Sequence, residues 1–359
     1  MSEITKALES GKRVAVALVL KAEGHTPQKA GVNAVIDAAG KICGTIGGGL
    51  VEAETQRHAV EACRSGQAAV FDFVFQGEGT ADSTPICGGE MRILVDPTAA
   101  KDLAAYAAAD RALALRQRGV LLTKVWTGPE TRTSVEWLAE DAPAAETGFP
   151  GHDAVRTCLE REIVRLFAEE AAEVGVACEV LVEPVIPRPR LIILGGGHIG
   201  QALARQAVLV DFDVLVIDDR PEFTNPALYP EGVATQCADV ARTIAACPVA
   251  GDTFIVIVTR GHRGDAEALG ACIQAPAAYL GMIGSKRKVA LLRKEFVEAG
   301  RATEEEWDRI HAPIGLEIGA VTVPEIATSI LAQLIAVRRK GRAGAAARDD
   351  ISLGAEVGA

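Results

Sequence analysis

LIILGGGHIG (Leu191–Gly200), followed by VLVIDDRPEF (Val214–Phe223), decides the architecture of the second half of this chain. One apolar run enters three consecutive glycines, and a second ends on Asp218 and Asp219, with Asp218 eighteen residues beyond Gly200. Strand, glycine turn, helix, strand, acid is the order of a dinucleotide-binding unit. On that reading Gly195 makes the tight turn, Gly197 lets a pyrophosphate approach the backbone, and Gly200 permits close helix–strand packing. A helix opening at His198 turns its free N–H groups to the phosphates, and His198 reads as an N-terminal helix residue, not a catalyst. Asp218 is placed to accept from a ribose 2′-OH, which favours an NAD-like ligand, while Arg220 beside Asp219 blurs that preference. A Rossmann sheet with an unused or altered nucleotide site is the competing reading, because fold does not fix ligand.

The same alternation continues outward. Strands are expected at 190–194, 213–218, 233–236, 253–259 and 278–283, and helices at 198–210, 239–246, 264–273, 286–299 and 324–339. Short loops between them imply a doubly wound parallel sheet covered on both faces. Two runs fall at the carboxyl ends of later strands, where ligands of open α/β sheets sit. Thr259–Asp265 carries His262 and Asp265, readable as an acid–base pair or half of a metal site, with no third ligand at recognisable spacing. Gly284–Lys288 sets Ser285 as an N-cap before Lys286, Arg287 and Lys288, which suits an anion or, equally, a solvated helix face. The loop His311–Gly319 holds one buried-looking carboxylate, Glu317, for function or for packing.

Towards the N-terminus, Pro187-Arg188-Pro189-Arg190 reads as a stiff linker and marks a domain boundary. Before it, strands are expected at Arg13–Leu20, Asn33–Asp37, Ile42–Ile46, Val70–Phe75, Met91–Val95 and Glu179–Ile186. Val120–Thr127 and Ser134–Ala139 suggest a hairpin. Helices are expected after Gly49, across 99–118 and over Ala154–Ala172. Gly24–Gly31, with Thr26, Pro27, Gln28 and Lys29, and Gly44–Gly49, with Thr45, are glycine-bearing loops at strand ends. They offer N–H groups and side chains for a phosphate or polar heterocycle. Glu52 caps the following helix or bonds a ligand amine. Cys87-Gly88-Gly89 puts a thiol on a glycine loop, where exposure and reactivity compete with the usual buried role of a lone cysteine.

With 359 residues, 49% hydrophobic and only 4% aromatic, the chain suits two α/β domains built from Ala, Val, Ile and Leu. A net charge of −11 disfavours nucleic acid and anionic membranes as partners. Eight cysteines without CxxC spacing, no signal peptide and no apolar run of about 18 residues point to a reduced cytoplasmic protein without membrane insertion.

From about residue 10 to 340 the chain resembles the XdhC/CoxI family, accessory proteins of xanthine dehydrogenase and related molybdenum hydroxylases. The resemblance rests on TPQKAG (Thr26–Gly31), GTIGGGLVEAE (Gly44–Glu54), ICGG (Ile86–Gly89), LGGGHIGQALA with VIDDRPEF, GMIGSKRKV (Gly281–Val289), PIGLEIGA (Pro313–Ala320) and PEIATSILAQLIA (Pro324–Ala336). It implies an XdhC-type α/β domain with a helical extension over 1–186 and a Rossmann-like domain over 190–340, while the small, polar composition of 341–359 reads as a disordered tail. It further implies a non-catalytic chaperone that binds molybdenum cofactor (molybdopterin), assists its sulfuration and inserts it into an apo molybdenum hydroxylase. A homodimer and a cysteine desulfurase partner belong to the same implication. Carried over by position, the cofactor-contacting set is Thr26, Pro27, Lys29, Gly31, Gly47, Gly48, Gly49, Glu52, Cys87, Gly88 and Gly89, with the Cys87 thiolate a soft ligand for molybdenum. Many relatives read Gly-Ser-Thr-Pro-Arg where this chain has Gly24-His25-Thr26-Pro27-Gln28, so Lys29 becomes the nearby cation. Some carry Cys where Leu50 stands, which leaves Cys87 as the motif thiol. Two alternatives remain: an NAD(P)-dependent oxidoreductase using His262 and Asp265 for proton transfer, and a nucleotide-controlled sensor of a partner.

Overall fold

A computed structural model describes residues 2–75, 88–143, 148–169 and 176–345. The chain divides into two compact units, Met1–Pro187 and Arg188–Ala359. The first unit opens with a short helix α1 (Ser2–Glu9) and the strand β1 (Val14–Gly24). β1 reads as an unbroken apolar run because both of its faces are covered. Ala15, Ala17 and Val19 enter one core with Val51 and Ala59, while Leu18 and Leu20 enter another with Val125 and Leu181. Each large aliphatic side chain so buried contributes about 1.5–3 kcal/mol.

β2 (Asn33–Asp37), β3 (Ile42–Gly44), β4 (Ala69–Phe75) and β5 (Gly89–Asp96) complete an antiparallel sheet in the order β3-β2-β1-β5-β4. The helix α2 (Gly49–Ser65) packs on it through Val51, Ala59 and Ala62, and ends at Gly66 in the left-handed conformation. After a single 3-10 turn, α3 (Leu103–Ala114) leads to β6 (Gly119–Thr127) and β7 (Arg132–Ala139), which form the expected antiparallel hairpin. Then come α4 (His152–Arg161), β8 (Arg165–Glu169) and β9 (Ala177–Val185), giving a second antiparallel sheet ordered β7-β6-β9-β8.

The expectation of a helix over Ala154–Ala172 is corrected: the helix stops at Arg161 and is followed by a strand. Glu162 takes a left-handed φ of 52° and its N–H closes the helix on Cys158 and Leu159 carbonyls. Beyond it Leu166 packs into one core and Phe167 into another. Alternate neighbours facing opposite sides is the period of a strand, not of a helix.

The second unit is a parallel sheet of β10 (Arg190–Leu194), β11 (Asp213–Asp218), β12 (Ala234–Cys237), β13 (Thr253–Ile257) and β14 (Tyr279–Met282), ordered β12-β11-β10-β13-β14. Leu191 and Ile193 face one core and Ile192 and Leu194 the other, so helices cover both sides. Those helices are α5 (His198–Val208), α6 (Val240–Ala246), α7 (Gly261–Cys272), α8 (Lys286–Glu298), α9 (Glu304–Asp308) and α10 (Val323–Ala345). The Rossmann-like, doubly wound half is as the sequence suggested. α9 lies outside the expected helices, although Thr303 and Glu306 form a reciprocal capping box at its start. α10 runs past its expected end to Ala345; most of the expected tail, 346–359, lies outside the described residues. No helix among the described residues is long and apolar enough to cross a membrane.

Candidate functional site

In the N-terminal unit, three motif loops far apart in sequence meet. The β1–β5 ladder runs to its last pair, Gly24 opposite Gly89. A Cβ built on Gly24 would overlap the Gly88 carbonyl, and one on Gly89 would overlap the His25 carbonyl and lie 3.0 Å from Thr26 Cγ2. A Cβ on Gly47 would stand 2.6 Å from Pro27 Cγ, and Gly47 holds φ +129°. His25-Thr26-Pro27, the turn at Gly47 and the Gly88-Gly89 pair are therefore neighbours. Cys87, the expected thiol, precedes Gly88 and lies outside the described residues.

Glu52 fastens the glycine turn. Its Oε2 accepts from Thr45 Oγ1 at 2.7 Å and from the Ile46 and Gly48 N–H groups at 3.2 Å each. The Thr45 hydroxyl and then the two backbone donors hold this carboxyl below its usual range, against the opposing effect of burial. Thr45 Oγ1 also accepts from Gly47 N–H at 3.0 Å. Space over Gly48 and Gly49 is open, with φ of +73° and +59°. In the first loop Thr26 Oγ1 donates to the Gln28 carbonyl at 2.8 Å, and Lys29 is exposed. Leu50, on the first turn of α2, is 81% exposed.

Gly31 packs elsewhere: its Cβ position lies 2.9 Å from Val164 and 3.6 Å from Glu183 Oε1. Glu183, buried on β9, is a group that sequence reasoning missed. Desolvation pushes its carboxyl up to about 8, while Thr123 Oγ1, donating at 3.4 Å, pulls the other way. Of the two glutamates on β9, Glu179 and Glu183, the second directly follows the apolar run Val180–Val182, and that placement was the signal available.

In the C-terminal unit the glycine turn is held by the protein itself. A Cβ on Gly195 would collide with the Val258 carbonyl, and one on Gly200 with the Gly195 carbonyl, whereas nothing lies within 4 Å of that position on Gly197. His198 is exposed at the start of α5. Asp218 is buried, and its oxygens are taken. Oδ2 accepts from Gly196 N–H at 2.7 Å and an Arg220 guanidinium N–H at 2.9 Å; Oδ1 accepts from Arg220 Nε at 2.8 Å and Arg220 N–H at 3.0 Å. Burial raises its pKa, but the Arg220 guanidinium and the backbone donors outweigh it, so the carboxyl titrates below its ordinary value. The Arg220 guanidinium in turn lies 3.9 Å from the Phe223 ring centroid. Asp219, by contrast, is exposed, and the crevice that these residues line with Thr259 and Arg260 has a volume of only about 120 Å³.

The expected pairing of His262 with Asp265 is corrected. His262 is exposed on the first turn of α7, whereas Asp265 is buried and takes Lys288 Nζ, Thr259 Oγ1 at 2.5 Å and Thr259 N–H at 3.1 Å. Asp265 faces inward because it sits one turn before the core residues Ala268 and Leu269. Ser285 caps α8 by accepting from Lys288 N–H at 3.2 Å, and Lys286 is exposed beside it. Glu317 is exposed, not buried, because its loop turns it out from the unit. No group of three or more His, Cys, Asp or Glu side chains suited to a metal occurs among the described residues.

The XdhC and CoxI family matches this chain over residues 7–74 and the XdhC Rossmann domain matches it over 191–334, together more than half of its length. An uncharacterized protein of Escherichia coli K12, YqeB, is 37% identical over 174 residues, which is 48% of this chain and 32% of that protein. A protein of Bacillus subtilis 168 described as a probable component of xanthine dehydrogenase is 26% identical over 161 residues, 45% of this chain and 46% of that one. The chain thus spans less than half the length of these two relatives. The molybdenum cofactor insertion chaperone PaoD of Escherichia coli K12 is 24% identical over 337 residues, 93% of this chain and 86% of that protein. A crystal structure described as a xanthine dehydrogenase from Bacillus halodurans shares the fold, with a TM-score of 0.68, 22% identity, and coverage of 94% of this chain and 96% of that one.

Proposed function

This chain belongs to the XdhC/CoxI family, and on that premise we propose that it binds molybdenum cofactor and assists its insertion into a xanthine dehydrogenase-type molybdenum hydroxylase. The observation that carries the proposal is the meeting of the three motif loops at Gly24, Gly47 and Gly89. The residues present fit an anionic, hydrogen-bonding cofactor. Gly48 and Gly49 leave open backbone that a side chain would fill, and Lys29 supplies an exposed cation. Thr26 and the Glu52-held turn fix the walls, and Cys87 offers a soft ligand next to Gly88. When bound, the cofactor carries the redox-active molybdenum that a client enzyme needs; the protein's task is to hold it and keep water and oxidants from it. The same proposal takes in sulfuration with a cysteine desulfurase as partner, a homodimer and cytoplasmic residence.

The test is anaerobic titration with freshly released molybdenum cofactor, reading retained molybdenum and pterin fluorescence after gel filtration. Near-stoichiometric retention by the parent and loss in Cys87→Ser is the expected result. Equal retention by both would remove the thiolate ligand, and retention by neither would remove the cofactor reading. The oxidoreductase alternative has less support, because Asp218 is already saturated and His262 is not paired with Asp265. A fluorescence change of NADH on titration would restore it.

A further inference from the structure

A cavity of about 740 Å³ opens in the C-terminal unit between α8, α9, the segment 309–313 and α10. It shares no lining residue with the small crevice at Gly195. Its floor is apolar: Ile273, Leu280, Trp307 and Ile310 belong to the core beneath β14, and Val337 closes it from α10. Its volume lies within the roughly 300–1,000 Å³ typical of small-molecule sites.

Charge at the rim is unbalanced once existing bonds are counted. Two acids line it, and both are engaged. Glu306 Oε2 accepts from Thr303 N–H at 2.8 Å in the capping box of α9, and Asp308 Oδ1 accepts from Arg293 at 2.9 Å. Arg293 is further drawn off by Glu304. Two cations remain. Lys286 makes no ion pair among the described residues and stands at the first position of α8, where the helix dipole adds positive potential. Arg309 is exposed and, among the described residues, donates only a long hydrogen bond of 3.5 Å to the Ala275 carbonyl.

We propose that this cavity is a binding site for a small anion with an apolar body, such as an aryl or acyl carboxylate, its apolar part against Trp307 and Leu280 and its charge at Lys286 and Arg309. The proposal is independent of the cofactor reading, which concerns the other unit.

The full chain is titrated with 8-anilinonaphthalene-1-sulfonate, an apolar anion, and with the neutral N-phenyl-1-naphthylamine, reading fluorescence. One saturable site is expected for the anion, with the neutral probe at least tenfold weaker. Ala290→Trp, at an exposed α8 position that lines the cavity, fills the lumen and should weaken the anion at least tenfold. Lys286→Glu, a surface change that leaves the core untouched, should weaken it about fivefold, as reversal of a rim charge does. Circular dichroism of both variants checks the fold. Anion binding unchanged in Lys286→Glu, equal affinity for both probes, or no saturable site would each overturn the assignment.

Discussion

Glu183 gives the N-terminal unit a titration that one substitution isolates. In the fold its carboxyl keeps its proton to about pH 8, because burial penalises the charged form and Thr123 offers only a 3.4 Å bond; a solvated glutamate releases it near 4.5. The folded-state value is raised, so the group's contribution is complete below about pH 4.5 and is lost as pH rises through 8. At about 1.36 kcal/mol per pH unit the loss is about 4–5 kcal/mol. Glu183→Gln keeps the shape of the protonated acid and does not titrate. Urea unfolding between pH 5 and pH 9, followed by the fluorescence of Trp126 and Trp137 in this unit, reads the effect. The stability difference between variant and parent should move in the variant's favour by about 4 kcal/mol from pH 5 to pH 8. Parent and variant falling in parallel over that range would refute the reasoning, since the proton would then not be held at Glu183.

Gly47→Ala forces a Cβ against Pro27 and a side chain into φ +129°; a loss of about 1–3 kcal/mol in thermal unfolding is expected, with reduced cofactor retention. An unshifted melting curve would mean that the first two loops are not wedged together. Lys288→Met strands the buried Asp265 carboxylate and should cost about 3–5 kcal/mol, most of it recovered in Lys288→Met/Asp265→Leu. If the double variant is no more stable than the single, the ion pair is not the source of the loss. Leu50→Cys, at an exposed position, should change stability by less than about 0.5 kcal/mol and increase molybdenum retention by adding a second thiol at the glycine turn. No gain in retained metal would place the thiol requirement at Cys87 alone.

The Rossmann half was legible because its central strands β10, β11 and β13 are short, carry unbroken apolar runs and are separated by helices, so period and length agree. Ile192 and Ile193 are both buried, each on its own face, which is what an unbroken apolar run announces. β8 was not legible: Arg165–Glu169 alternates over only five residues and follows a helix rich in helix formers. Of the candidate site, the glycines declared themselves because a close approach tolerates no side chain, and Gly24, Gly47 and Gly89 are each such a place. Partnerships among charges were hidden. That Asp265 would choose Lys288, twenty-three residues on, over His262 depends on which helix faces bring them together. In the same way Asp218 looks free in sequence, and only its burial beside Gly196 makes the local Arg220 its permanent partner.

The final rung of the β1–β5 ladder is a shared anchor. Gly24 and Gly89 close that ladder, and each is also the root of a motif loop, one leading to Thr26 and the other to Gly88. Fraying at a strand end is the least costly opening that a sheet allows. Because Pro27 of the first loop also stands against Gly47, a disturbance of this one pair reaches the turn that Glu52 holds. A substitution at either glycine of the pair is therefore felt in the first loop and in the glycine turn together, while the sheet behind them stays packed.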